Sequence, residues 1–139
     1  KMANNDIQFS AMFDVGSAAN VERAMEMSAE YINPDTDDRG FAIQRQGDYD
    51  SGSTALWIWA DECGDVESVA QFVADVGKAL DLTGMWGMTW AETCSRPRIN
   101  EFGGGAVAVN LTTGRISYMN ARGWLDHELS KRPKRKRAA

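Results

Sequence analysis

The stretch "TALWIWAD" (residues 54–61) restricts the possible folds of this chain more than any other. In an extended backbone Trp57 and Trp59 share one side, and Leu56 and Ile58 share the other. Tryptophan and isoleucine favour a pleated surface. A strand that is apolar on both sides belongs inside a sheet, not at its edge. The rest of the chain must therefore supply its neighbours and the cover for its faces.

Those neighbours are legible as periodicities. Ile7, Phe9, Ala11 and Phe13 alternate with Gln8, Ser10, Met12 and Asp14, which predicts a half-buried strand. Gly16 and Ser17 end it, and Ser17 is a natural helix cap. Val21, Ala24, Met25, Ser28, Ala29 and Ile32 then recur at helical spacing until Asn33-Pro34 stops the run. Phe41 and Ile43 begin a short strand. Asp65 caps a second helix with the stripe Val66, Val69, Ala70, Val73, Val76, Gly77 and Leu80. "MWGMTWAETC" (85–94) is a strand with Trp86, Met88 and Trp90 on one face. "AVAVNL" and "RISYM" flank Thr112-Thr113-Gly114, a three-residue hairpin loop with glycine last. A short helix around Trp124–Leu129 closes the series.

The expected fold is α+β: an antiparallel sheet with two helices on one face, in the ferredoxin-like order β-α-β-β-α-β, plus a C-terminal β-hairpin and a short helix. Residues 1–130 form one domain in this reading, and 131–139 a basic disordered tail. Cys63 and Cys94 form no metal-binding spacing, so reduced thiols are expected, placed at opposite ends of the sheet. Two of Trp57, Trp59, Trp86 and Trp90 should fill the core, leaving the others for a face that a partner or the C-terminal segment covers.

Charge is split along the chain. "KRPKRKR" (131–137) holds six of the fifteen Lys and Arg, so the remainder carries nine bases against twenty acids. Between residues 35 and 67 lie nine acids, opposed only by Arg39 and Arg45. The picture is an acidic body with a basic tail. No run of about 18 apolar residues occurs, so no membrane helix is expected. The opening residues hold no basic segment followed by an apolar one, so no secretory leader is expected and the location reads as cytoplasmic.

Few residues suggest chemistry. The only histidine, His127, stands between Asp126 and Glu128 in the last helix, and no serine sits in a GxSxG elbow. Asp35, Asp37, Asp38 and Gly40 fit the start of a calcium loop, but Gln46 occupies the place of the bidentate acid, which excludes an EF-hand. No metal, no cofactor and no enzymatic activity are expected. Gly103-Gly104-Gly105 could present N–H groups to an anion beside Arg96 and Arg98, yet the run leads into a strand rather than the helix a phosphate loop requires. Bending or close backbone packing is the better reading.

"TWAETCSRPRINEFGGGAVAVN" followed by "SYMNARGWL" resembles small uncharacterised proteins encoded by phages and plasmids, which carry a similar Cys-x-x-Pro-Arg…Phe-Gly-Gly-Gly-Ala stretch. The resemblance spans roughly residues 86 to 125 and implies a mobile-element context. With it, the acidic body reads as a DNA mimic. Asp35, Asp37, Asp38, Asp48, Asp50, Asp61 and Glu62 would contact a host nucleic-acid-binding protein complex, of CRISPR or restriction type, and inhibit or modulate it. The alternative is a nucleic-acid accessory protein that uses Arg96, Arg98, Gly103 and Gly104 with the tail cations Lys131, Arg132, Lys134 and Arg135.

Overall fold

The computed structural model describes residues 5–47 and 52–131. In chain order these form β1 (Asn5–Asp14), α1 (Ala18–Ser28) running into a 3-10 turn (Ala29–Tyr31), β2 (Ala42–Arg45), β3 (Ala55–Ala60), α2 (Val66–Ala79), β4 (Met85–Cys94), β5 (Gly103–Asn110), β6 (Ile116–Asn120) and α3 (Ala121–Ser130). The caps are local. Ser17 accepts a hydrogen bond from the Asn20 amide, Asp65 from Ser68, and Asn120 from Gly123.

The ferredoxin-like layout expected from the sequence is corrected by the pairing. What forms is one six-stranded antiparallel sheet with three helices, in the strand order β2-β3-β1-β4-β5-β6. The hairpin is not an appendage to a four-stranded unit. β4 is ten residues long, and its outer edge would otherwise present a row of unpaired amides and carbonyls; β5 pairs with it from Met85↔Asn110 to Glu92↔Gly103. β6 then closes on β5 from Gly105↔Asn120 to Val109↔Ile116. The turn between them is longer than the three-residue loop expected: the Asn110 amide bonds the Arg115 carbonyl, so Leu111 joins Thr112, Thr113 and Gly114 in the loop, and Gly114, at φ 79°, donates its amide to the Asn110 carbonyl.

Register assigns the faces. Phe9 and Phe13 of β1 stand beside Ala60 and Leu56 of β3, and Ile58 beside Ile43 of β2. Trp86 and Met88 of β4 stand beside Val109 and Val107 of β5. These side chains are buried with Val21 and Ala24 of α1 and with Val69, Phe72, Val73 and Val76 of α2. Trp86 fixes the middle of this layer by donating Nε1–H to the Met12 carbonyl at 3.0 Å, its ring 6.0 Å from that of Phe13. Trp57 and Trp59, by contrast, pair with Met12 and Ser10, which alternate onto the other side of the sheet.

The expectation for the cysteines is also corrected. β3 and β4 are both antiparallel to β1, so they run in the same direction and end at the same end of the sheet. Cys63 bridges to Ile7 on one side of β1, and Cys94 pairs with Asn5 on the other. Two chains straddling a third stand about 9.6 Å apart, beyond the reach of about 7 Å for a disulfide. Both thiols are free.

One contact ties the 3-10 turn to α2. Tyr31 donates its hydroxyl to Asp75, whose second oxygen accepts from Gln71 Nε2 at 2.9 Å. Burial first, then the hydrogen bond and charge of Asp75, push the Tyr31 hydroxyl well above its ordinary range. The folded state thus holds this proton more tightly than the unfolded chain, where tyrosine titrates near pH ~10. The stabilisation is fully present below that pH and is lost as pH rises above it. Urea midpoints should fall for the wild type between pH 9 and pH 11. Tyr31→Phe should start lower, lacking the Asp75 contact, and fall less over that interval; parallel declines would remove Tyr31 as the cause.

Candidate functional site

The site is built from two loops at one end of the sheet. The first follows the 3-10 turn. Asn33 organises it: its Oδ1 accepts from the Asp35 amide at 2.9 Å, its carbonyl from the Asp37 amide at 2.8 Å, and its own amide donates to the Asp38 carbonyl at 2.7 Å. Asp37 adopts φ 56°, a left-handed conformation that aspartate tolerates better than most residues. Asp38 then accepts from the Gly40 amide at 3.0 Å.

The second loop leaves β3 at Ala60. Its backbone is held to β1, with the Ile7 amide donating to the Glu62 carbonyl at 2.6 Å and the Gly64 amide to the Ile7 carbonyl at 3.1 Å. Gln8 Nε2 donates to the Asp61 carbonyl at 3.0 Å. With the backbone turned inward, the Asp61 and Glu62 side chains face solvent. The loops are clamped together by the Asp65 amide donating to the Gly40 carbonyl at 2.8 Å. Glycine is required at position 40: φ is +84°, and a β-carbon would collide with that of Asp65.

The product is an open cleft of about 380 Å³ lined by Asp38, Asp61 and Glu62 with Phe41, Trp59 and Cys63. Asp38 is shared with an adjoining cleft of about 370 Å³ whose lining includes Asp65, Arg39 and Tyr31. The cations of this stretch are engaged elsewhere. Arg45 pairs with Glu22 of α1. Arg39 donates Nε–H to the Phe41 carbonyl at 3.0 Å and Nη1–H to Ser28 Oγ at 3.1 Å and the Ser28 carbonyl at 3.4 Å. Burial lowers the pKa of its guanidinium, and Asp38 opposes that shift. Among the described residues no ion pair includes Asp35, Asp37, Asp38, Asp61 or Glu62. The negative field also reaches β6: burial, then Glu67 and Asp65, push the Tyr118 hydroxyl above its usual range.

Arg39 therefore braces the acidic loop through Ser28 and Phe41 rather than through an ion pair with its carboxylates. Arg39→Ala should lower stability by about 2 kcal/mol, because Ser28 and Phe41 lose a charged hydrogen-bond donor. Arg39→Lys should recover little, since a single ammonium cannot reproduce a planar fork that meets three oxygens. Urea midpoints of the two variants check this; a lysine variant equal to wild type would show that charge alone suffices.

Of the acids expected in one patch, Asp38, Asp61 and Glu62 meet at the cleft, while Asp35 and Asp37 stand exposed on the adjoining turn. Asp48 and Asp50 lie outside the described residues. Sequence reasoning missed Trp59 as a wall of this cleft and gave Asp65 only a capping role. Alternation already set Trp59 off from the Leu56 side, but its distance to Asp38 depends on two remote loops.

The residues of the alternative reading are placed as follows. Arg96 and Arg98 are exposed on the loop from β4 to β5, at the same end of the sheet as Asp61. Gly103 and Gly104 belong to β5, paired with Glu92 and Ala91. Lys131, the first residue of the tail assigned to 131–139, pairs with Glu128 at 2.8 Å, and Arg132, Lys134 and Arg135 lie outside the described residues with the rest of that tail. His127 is exposed on α3, which packs on β5 and β6, whereas the cleft lies beside β2 and β3. Among the described residues no helix is long and apolar enough to cross a membrane, and no group of three or more histidine, cysteine or acidic residues is arranged to hold a metal. No family model, curated protein or solved structure matches the chain.

Proposed function

We propose that this chain is a non-enzymatic acidic binding protein of a mobile element. It acts in the cytoplasm by contacting a host nucleic-acid-binding protein of the defence type, such as a CRISPR or restriction component, and so inhibits or modulates it. The observation that carries this reading is the convergence of Asp38 with Asp61 and Glu62 around one cleft, while Arg39 and Arg45 bond elsewhere. Exposed carboxylates fixed on short, hydrogen-bonded loops present charge as a phosphate backbone does. They would steer a basic cleft toward the protein and exclude its nucleic acid.

The test is capture from host extract with the wild type and with a variant carrying Asp38→Asn, Asp61→Asn and Glu62→Gln. The captured protein should itself bind DNA or RNA, nucleic acid should compete for it, and the triple variant should lose most of the capture. Equal capture by both proteins ends this reading. If the protein itself retards DNA or RNA in a gel, and replacing the six tail cations abolishes that, the accessory-protein reading takes its place.

A further inference from the structure

The far side of the sheet from α1 and α2 carries large apolar side chains in the open. Met12, Met85 and Met119 are 60%, 66% and 59% exposed. Trp57 and Trp59 belong to this face on the side of the acidic cleft, stacked with ring centroids 3.9 Å apart and planes at 20°. Ser10 Oγ holds the Trp57 ring by accepting from its Nε1 at 2.8 Å. Because the rings cover each other's inner surfaces, each offers only an outer one. Trp59 lines the acidic cleft, and Trp57 lines a second cleft of about 360 Å³ with Ser10, Met12 and Gln46.

Charge selects what this surface fits. The strand positions that alternate onto this side include no lysine or arginine, while Asp6 and Asp14 of β1 add negative charge. Single-stranded nucleic acid also stacks on aromatics, but it needs a basic groove, and this face has the opposite sign. A guanidinium meets both features: its plane stacks on an indole and its N–H fork matches carboxylates.

We propose that the open sheet face, centred on Trp57 and Trp59, docks an arginine-bearing segment of the partner protein, with an arginine seated against Trp59 beside Asp61 and Glu62. This rests on the acidic-binder reading and adds a second surface to it. Coulombic attraction at the cleft recruits any cation; the indoles distinguish arginine from lysine.

The probes are decaarginine and decalysine, titrated calorimetrically into the full chain. Decaarginine should bind about five-fold more tightly than decalysine, the ratio a stacking contact near 1 kcal/mol provides. Trp57→Ala and Trp59→Ala should each erase most of that ratio. Asp61→Asn with Glu62→Gln should weaken both peptides and keep it. Met12→Lys, on an exposed side chain beside Trp57, should weaken decaarginine several-fold without disturbing packing. A ratio near one in the wild type, or a ratio unmoved by both tryptophan variants, overturns the docking face and leaves the acidic cleft standing. Loss of no binding in the acid variant overturns the acidic reading instead. Three other results also overturn the proposal: oligothymidylate binding that depends on Trp57, a dimer in sedimentation that Met12→Lys dissociates, and decaarginine binding only after the tail cations are replaced by serine.

Discussion

Replacing Phe72 by alanine should cost about 3–5 kcal/mol, a large share of the roughly 5–15 kcal/mol that holds a domain of this size. Phe72 is fully buried on α2. Its ring lies 5.5 Å from Tyr31, nearly perpendicular at 84°, and 5.4 Å from Phe41 at 36°. It thus joins the helix to the 3-10 turn and to the chain entering β2, the segments between which the acidic loop is strung. Truncation removes the transfer energy of the ring and leaves a cavity that the sheet cannot collapse to fill. Because Phe41 also lines the acidic cleft, the loss should reach the site: amide exchange in residues 33–41 should quicken more than in β5. A denaturation midpoint close to wild type would show that the three rings do not form the contact described.

Gly105→Val should be the most damaging single change in the glycine run, with a loss upward of about 3 kcal/mol from overpacking. A β-carbon at position 105 would meet the Met119 carbonyl and the Asn120 Cα of β6, and on the other side the Trp90 ring of β4. None of these is the free end of a flexible side chain except in part the indole. β6 must separate from β5, and α3, which begins directly after Asn120, must move with it. The checks are thermal melting and hydrogen exchange of the β6 amides, with Gly105→Ala as the milder member of the series. If Gly105→Val melts within ~2 °C of wild type, less than the shift expected for 1 kcal/mol in a chain of this length, the close approach is absent. Gly104 and Gly105 thus serve backbone proximity within a sheet, whereas a β-carbon at Gly103 would meet only the Glu92 side chain.

The elements themselves were readable wherever the signal was local. Ser17 and Asp65 cap α1 and α2 as their side-chain chemistry predicts, and β4 spans the very residues whose alternation marks it. The end of α1 was less legible: helical spacing continues to Ile32, but the chain tightens to a 3-10 turn after Ser28, where the Ser28 hydroxyl bonds the Met25 carbonyl at 2.6 Å. The candidate site was half legible. The excess of acids between residues 35 and 67 is a count, whereas their meeting depends on the hydrogen bond between Gly40 and Asp65 and on the anchoring of Glu62 to Ile7.

From the amino-acid order alone follow the alternation that puts Trp57 with Trp59 and Leu56 with Ile58, the stripe of α2, a hairpin turn closed by Gly114 and the concentration of carboxylates, because each depends on neighbours within a few bonds or one helical turn. Tertiary structure decided which strands lie side by side, that β3 and β4 point the same way and bring Cys63, Cys94, Arg96 and Asp61 to one end, and that α1 and α2 cover the Leu56 side and leave Trp57 and Trp59 half-buried on the other. Those outcomes rest on pairing and packing between segments far apart in the chain, where the free energy belongs to the contact and to neither segment by itself.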